Sequence, residues 1–217
     1  EVVASGEARR RTTEKMDGVE AAAERVASSA LQLAIREVNV QRGVTVEDLF
    51  EDRELGKQIT TRVLKRTISK VTYGDRADIE LELTLRLSDL LKPWTWQRVD
   101  VASGDSDSQQ ATGLVIDARG FNVDPAWAPK IIDSEGKEFY AGQLSAKTVR
   151  HVSPAVYVKN AAVPAAQRAG ANPLFVGIER VKGSDFHLSN TDSEKVRADR
   201  FLYDRLLEGQ LVIVMDP

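Results

Sequence analysis

The segment ADIELELTLRL, residues 77–87, alternates apolar and polar side chains without interruption. Successive side chains of a β-strand point to opposite faces of its sheet, so this period of two predicts a strand with one buried and one solvated face. The preceding segment ISKVTY, joined to it through Gly74, Asp75 and Arg76, supplies a partner strand whose Lys70 can face the acidic side of its neighbour. The pair therefore predicts an antiparallel hairpin.

An extended start, EVVASGEA, and two predicted helices precede this hairpin. The first helix is expected over residues 14–38, with a mostly alanine stripe that lets its axis lie close to a sheet. The residues of that stripe are Met16, Val19, Ala23, Val26, Ala27, Ala30 and Ala34. Thr45 with Asp48 resembles a capping box, and apolar residues at four-residue spacing then predict a second helix near 46–65. Residues 1–99 thus make one α+β module.

A polar stretch, DVASGDSDSQQA at residues 100–111, is interpreted as a linker or long exposed loop. The second module, residues 112–217, contains short predicted strands at GLVID, KIID, KEFY, AVYVK, LFVGIERV, DFHLS and LVIVMD. Its one substantial helix is expected over 191–209, with Thr191 and Glu194 as capping box and Gly209 as C-terminal stop. Residues 113–116 and 211–215 are apolar on both faces, so both are expected to be central strands of a covered sheet.

The expected fold class is therefore α+β, with two small modules that each pack a mainly antiparallel or mixed sheet against one or two helices. The 217 residues carry 30 Lys and Arg against 33 Asp and Glu, a net charge of −3. Such a chain has no basic excess for a phosphate backbone, so nucleic acid is not an expected partner. No apolar run approaches the length of a membrane span, and a targeting segment, if the protein is exported, would have preceded Glu1.

Familiar catalytic and cofactor signatures are missing from the sequence. There is no cysteine, which excludes disulfides and thiolate metal sites. The two histidines, His151 and His187, lack a second metal ligand nearby in sequence and are expected in turns or at the surface. Asp105 and Asp107 begin a calcium-like spacing that lacks the glycine and the closing glutamate. We therefore expect no metal, no cofactor and no enzymatic activity.

One acid and base set remains. Asp117 and Asp216 each end an apolar strand, and if these strands are parallel neighbours both carboxylates meet Arg119 at one rim of the sheet. This rim supports the alternative function, a metal- or anion-dependent hydrolase that uses Asp117, Arg119 and Asp216. The competing interpretation is that Asp117 accepts hydrogen bonds from the turn that follows it, while Asp216 is too close to the chain end for precise geometry.

Tryptophans in two proline-flanked segments form a further candidate site. PWTW contains Trp94 and Trp96, and PAWAP contains Trp127. Flat aromatic surface near turns is typical of sugar- or protein-binding sites, so these residues are candidate binding aromatics. The alternative is that they close the ends of the two cores.

The stretch TGLVIDARGFNVDPAWAPKIIDSEGKEFY resembles a bacterial envelope family that includes small LPP-type outer-membrane lipoproteins and the flagellar assembly protein T group. The similarity lies in Asp117 to Gly120, in Pro125 and Pro129, and in the spacing of Asp133, Gly136 and Tyr140. Asn172-Pro173-Leu174 and the final LVIVMD also look like that family, and Gly6-Glu7-Ala8 matches its N-terminal module more loosely.

This resemblance implies a non-enzymatic protein of the periplasm or the periplasmic face of the outer membrane, used in envelope or flagellar assembly. Its partners would be other envelope proteins or further copies of itself, and membrane attachment would require a lipidated cysteine before Glu1. The resemblance also implies that Asp117, Arg119, Gly120 and Asp133 form a structural constellation that fixes the turn 118–130.

Overall fold

The computed structural model of the protein describes residues 1–9, 15–74, 78–95, 110–145, 148, 152–160 and 164–217. The helices are α1 (Met16–Arg36), α2 (Val46–Leu49), α3 (Arg53–Arg66), α4 (Leu87–Thr95), α5 (Asn190–Ala198) and α6 (Leu202–Leu207), with a 3-10 helix at Pro164–Ala169. The first strands are β1 (Val2–Arg9), β2 (Asn39–Gln41), β3 (Val44–Thr45), β4 (Ile68–Tyr73) and β5 (Asp78–Leu85). The others are β6 (Leu114–Asp117), β7 (Lys130–Ile132), β8 (Glu138–Tyr140), β9 (Val156–Val158), β10 (Leu174–Lys182), β11 (Asp185–Leu188) and β12 (Leu211–Val214).

The described residues form two compact units. The first unit comprises residues 1–38 and 45–93, and the second comprises residues 39–44 and 94–217. Residues 39–44 were expected in the first module, but backbone N–H groups of Trp127 and Ala128 donate to the carbonyls of Asn39 and Val40. These long-range hydrogen bonds explain why the short β2–β3 hairpin groups with the second unit. Most of the predicted linker lies outside the described residues, although Ala111 is buried and its N–H donates to Asp199.

The first unit is a three-stranded antiparallel sheet in the order β1-β5-β4, with α1 packed on β1 and β5. The predicted hairpin is confirmed, because Ile79, Leu81, Leu83 and Leu85 are buried and Lys70 lies opposite Glu82. Gly6 lets the helix approach the sheet: a Cβ atom there would lie 2.3 Å from the carbonyl oxygen of Ala23. The expectation of a closely packed helix is therefore confirmed as well.

The register of the α1 stripe differs from the prediction. The buried residues are Val19, Ala23, Ala27, Leu31 and Ile35, whereas the predicted Val26 is 51% exposed. The buried stripe therefore ends in the large side chains Leu31 and Ile35, each 2% exposed, and not in the predicted Ala30 and Ala34. The predicted helix over 46–65 begins with the expected Thr45–Asp48 contact but breaks at residues 50–52, where Asp52 caps a new helix by accepting from Glu54 and Leu55 N–H.

The second unit has a seven-stranded mixed sheet in the order β8-β7-β11-β10-β6-β12-β9. As predicted, β6 and β12 are interior strands with buried residues on both faces. The predicted helix over 191–209 is two helices, since Ser189, not Thr191, caps α5 by accepting from Asp192 N–H. Gly209 ends α6 with a φ of 76°, as expected. Neither α4 nor the 3-10 helix was predicted from the sequence.

Candidate functional site

The rim formed by the ends of β6 and β12 is the site that the sequence singles out. The two strands are parallel neighbours with Val214 opposite Asp117, and Asp216 follows two residues later. The carboxyl ends of parallel strands meet at one edge of a sheet, so the two carboxylates approach the same turn. The geometry required by both the structural and the hydrolase interpretations is therefore present.

Both carboxylates at this rim are used by the turn that follows β6. Arg119 donates from Nε and Nη2 to the two oxygens of Asp117, at 2.8 and 2.5 Å, and its backbone N–H also points to Asp117 Oδ1. Asp216 Oδ2 accepts from the N–H of Gly120 at 2.8 Å, and Gly120 has a φ of 84° that favours glycine. The hydrogen bond from the Arg119 side chain holds the pKa of Asp117 below its ordinary value.

The chemistry of Asp117 and Arg119 favours a structural role in the turn over a role in acid-base catalysis. A general base that works near neutral pH needs a raised carboxyl pKa, whereas Asp117 has a lowered one. The Arg119 and Asp117 side chains are 61% and 44% exposed, so their ion pair lies in water. A shallow pocket of about 440 Å³ lies beside the turn, but Asp216 is the one charged residue among those that line it.

Asp133 belongs to a different place in the same unit. β7 runs parallel to β11, β11 antiparallel to β10, and β10 parallel to β6. β7 is therefore antiparallel to β6, and the carboxyl end of β7 lies on the side of the sheet where the amino end of β6 lies, opposite Asp117. There Asp133 is 6% exposed and accepts from the N–H groups of Glu135 and Lys137 and from Arg197 Nη2 on α5. The four predicted residues therefore belong to two turns. Asp117, Arg119 and Gly120 form the turn after β6, and Asp133 holds the turn after β7, at the opposite ends of the strands.

The candidate binding aromatics are not brought together as an exposed surface within the described residues. Trp127 is 9% exposed, and its backbone N–H donates to the carbonyl of Asn39 in the β2–β3 hairpin. Trp94 lies in α4, while its side chain and the whole of Trp96 are outside the described part. The expectation of exposed aromatic surface at PAWAP is therefore wrong, since Trp127 is buried.

His187 is also placed differently from the prediction. It lies on β11 and is 8% exposed, while His151 falls outside the described residues. Phe186 and Leu188 of the same strand point into the main core, so Asp185 and His187 share the opposite face of the sheet. Register places Lys182 and Arg180 of β10 and Lys130 of β7 on this face. We call these five residues, with Arg42 of the β2–β3 hairpin, the His187 face.

Sequence reasoning missed the His187 face because its residues come from three separate segments. The available signal was the alternation in DFHL, which is polar, apolar, polar, apolar. This period of two predicts one polar face for β11. The pairing partners that surround that face with cations become apparent only from the strand order.

In the first unit, β4 is the end strand with the more exposed side chains. It pairs only with β5, and all of its residues except Val71 are exposed. Ile68 is 59% exposed, and Leu64, in the helix before it, is 79% exposed.

Within the described parts of the chain, no group of three or more metal-ligating side chains is assembled. None of the described helices is long and apolar enough to cross a membrane.

Comparison with protein families gives a match over the second unit. No curated protein matches the chain. Residues 113–217 match the model of a protein family described as Treponema pallidum Tp0624, second domain. The match begins just before β6 and contains every strand of the seven-stranded sheet. The second unit is therefore similar, from Gly113 onwards, to a bacterial domain family represented by the second domain of Tp0624.

Proposed function

We propose that this chain is a non-enzymatic, protein-binding module of a bacterial cell envelope that acts in assembly. The observation that carries the proposal is the free edge of β4, a six-residue strand with exposed side chains and no outer partner within the described residues. An extended segment of another protein can add to such an edge through main-chain hydrogen bonds. The end strands of the larger sheet, β8 and β9, have three residues each and offer fewer main-chain hydrogen bonds to an added segment.

The side chains beside β4 indicate the chemistry of the added segment. Ile68 and Leu64 offer apolar surface, which favours apolar side chains in the partner. On the solvated face of the same sheet, Glu80 and Glu82 of β5 lie opposite Thr72 and Lys70. The acidic residues favour a partner segment that also carries lysine or arginine. The proposed occupant is therefore an extended, apolar and basic segment of another envelope protein.

The rim of β6 and β12 supports the non-enzymatic part of the proposal. Asp117 and Arg119 satisfy each other, and Asp216 accepts from the Gly120 N–H. A hydrolase would need one of these groups free to activate water or to hold a metal ion. Their hydrogen bonds instead fix the turn that leaves β6.

The envelope setting rests on the similarity of residues 112–140 to the lipoprotein and flagellar assembly group, and the family match is also bacterial. Within that setting we propose the periplasm or the periplasmic face of the outer membrane, with a lipoprotein-like or flagellar assembly role. Fractionation of cells that produce the tagged protein should recover it with the envelope. Recovery with cytoplasmic proteins would overturn this part of the proposal.

Site-specific photo-crosslinking tests the β4 edge. A photoreactive phenylalanine at position 68 should give a defined adduct with an envelope protein in intact cells, because the partner strand would lie beside it. Val3 is the matched control: it is 53% exposed and lies in the same cross-strand row, opposite Thr84, but on the other edge of the sheet. Equal adducts at both positions, or none, would contradict docking at β4.

Thermal melts with magnesium, manganese, calcium and phosphate test the alternative. A metal-dependent hydrolase site would raise the melting temperature of the wild type by mass action, and Asp216→Ala would abolish the shift. We expect no metal-dependent shift that requires Asp216. Such a shift, accompanied by hydrolysis of an ester or phosphoester substrate, would overturn the non-enzymatic proposal.

A further inference from the structure

The His187 face contains two buried polar atoms for which the described residues supply no hydrogen-bond partner. They are Asp185 Oδ1 and His187 Nε2, on residues that are 7% and 8% exposed. Alternate residues of a strand point the same way, so both atoms belong to one face of β11. Buried donors and acceptors without partners are rare because each loses its hydrogen bonds to water. The pair therefore points to a ligand.

The other hydrogen bonds of these two side chains define what each orphan atom offers. Arg180 Nη2 lies 3.4 Å from His187 Nδ1, and because arginine can only donate, Nδ1 must accept. The neutral imidazole then carries its proton on Nε2, which is a donor. Asp185 Oδ2 accepts from Arg42 Nη1 at 3.2 Å, so Oδ1 remains as an acceptor. A ligand that satisfies both atoms must accept one hydrogen bond and donate another.

The charge around the two atoms indicates an anion. Arg42, Lys130, Arg180 and Lys182 surround them, against Asp185 itself and Glu138, which pairs with Lys130 at 3.1 Å. Arg42 reaches the face from the β2–β3 hairpin, and its side chain lies over Gly183. Burial and the positive charges of Arg180, Lys182 and Arg42 lower the pKa of His187, with Asp185 acting in the opposite direction. A negatively charged ligand would relieve that excess of positive charge.

We propose that the His187 face binds a phosphate group. Phosphate oxygens accept from the His187 Nε2–H and from the arginine and lysine side chains, while the O–H of hydrogen phosphate donates to Asp185 Oδ1. A divalent cation fits less well, because four basic side chains surround only two acidic ones. This site is separate from the β4 edge and does not depend on the proposed function.

Imidazole NMR of the full chain provides a direct test, because the protein has two histidines. His151→Gln assigns the His187 signal. Inorganic phosphate should shift that signal in a saturable way at constant ionic strength set with sodium chloride. Sulfate, which has oxygens but no O–H for Asp185, should bind about tenfold more weakly, the factor expected for one lost charged hydrogen bond. Saturating phosphate should also raise the pKa of His187 towards its ordinary value.

Two variants distinguish a specific phosphate site from general electrostatic attraction to a basic surface. Arg180→Gln should weaken phosphate binding by about tenfold. Arg200→Gln removes the same charge from an exposed residue that stacks on Phe201 and is not one of the residues of the His187 face, and should leave binding unchanged. A glycerol phosphate arm distinguishes the source: tighter binding than inorganic phosphate indicates a phosphate monoester, and weaker binding indicates the free ion.

The proposal is overturned if the His187 signal does not respond to phosphate beyond the chloride control. It is also overturned if sulfate and phosphate act equally, or if both arginine variants lose affinity to the same extent. The far-ultraviolet circular dichroism of each variant should match that of the wild type. If Arg180→Gln fails to fold, Lys182→Gln, another exposed cation of the face, takes its place with the same expected loss.

Discussion

At the scale of single residues, Asp133 is the clearest structural carboxylate. Replacing it with alanine leaves Arg197 and two backbone N–H groups without their acceptor, so we expect a loss of about 1 to 3 kcal/mol in the free energy of unfolding at pH 7. Glu135→Ala is the control, since Glu135 also pairs with Arg197 but is 69% exposed, and its effect should be much smaller. Denaturant titration of both variants measures the difference, and equal losses would contradict the anchor role.

The pH dependence of the same variant follows from the charge of Asp133. Burial acts to raise its pKa, but hydrogen bonds from Arg197 and from the N–H groups of Lys137 and Glu135 outweigh burial, so its pKa is lowered on folding. A lowered pKa stabilises the folded state above the unfolded value of about 3.9 and stops doing so as the pH falls through the folded value. The gap between wild type and Asp133→Ala should therefore shrink as the pH falls below the unfolded value and through the lowered folded value.

Residue roles were the least predictable level from sequence. The turn chemistry of Asp117, Arg119 and Gly120 follows from local spacing, and the structure places them within one turn. Asp133, His187 and Trp127 could not be placed in this way, because their surroundings come from α5, β10 and the β2–β3 hairpin. Partners that are distant in sequence leave no local pattern.

At the scale of elements, the hydrophobic period predicted well where a helix or strand is present, but it predicted poorly at which residue that element ends. The strand β5 followed its alternation from Asp78 to Leu85, and β6 and β12 were recognisable by their continuous apolar residues. Two helix breaks were not predicted. One lies at residues 50–52, where the Asp52 side chain caps α3, and the other lies around Asp199, between α5 and α6. A capped break keeps nearly the same apolar spacing on both sides, so periodicity alone cannot detect it.

The contact between β1 and α1 gives a prediction at this scale. Gly6→Ala would place a methyl group 2.3 Å from Ala23 O and 2.4 Å from Ala27 N, both backbone atoms that cannot move independently of the helix. We expect a loss of at least about 2 kcal/mol in unfolding free energy, measured with denaturant. Gly74→Ala is the control, since its added Cβ would be 3.6 Å from Asp78 in ordinary contact. Similar stability of the two variants would contradict close packing at Gly6.

At the scale of the whole molecule, the chain enters the second unit at residue 39, returns to the first unit at residue 45, and enters the second again at residue 94, within α4. No local pattern predicts this path, because the partners of Asn39 and Val40 lie beyond residue 120. Asn39 also donates to Asp124 at 2.8 Å, and Arg42 pairs with Asp185. The second unit is thus composed of a continuous segment and a short inserted hairpin.

This path predicts the behaviour of the second unit expressed alone. A fragment of residues 110–217 contains every strand of the seven-stranded sheet but lacks the hairpin whose carbonyls accept from Trp127 and Ala128. Trp127 is the one tryptophan in that fragment, so its fluorescence reports directly on the segment that the hairpin would hold. We expect the fragment to fold with red-shifted, quencher-accessible Trp127 emission, since the segment that holds this side chain at 9% exposure loses its backbone hydrogen bonds to the hairpin.

A synthetic peptide of residues 36–48 should reverse this change. Binding would re-form the hydrogen bonds from Trp127 and Ala128 and the Arg42–Asp185 pair, which shifts the Trp127 emission to shorter wavelength and protects it from acrylamide. The matched control is the same peptide with Arg42→Gln and Asn39→Ala, which lacks two side-chain contacts and should bind more weakly by at least about tenfold. If the isolated fragment already shows blue, protected emission and ignores both peptides, the hairpin is not an integral part of the second unit.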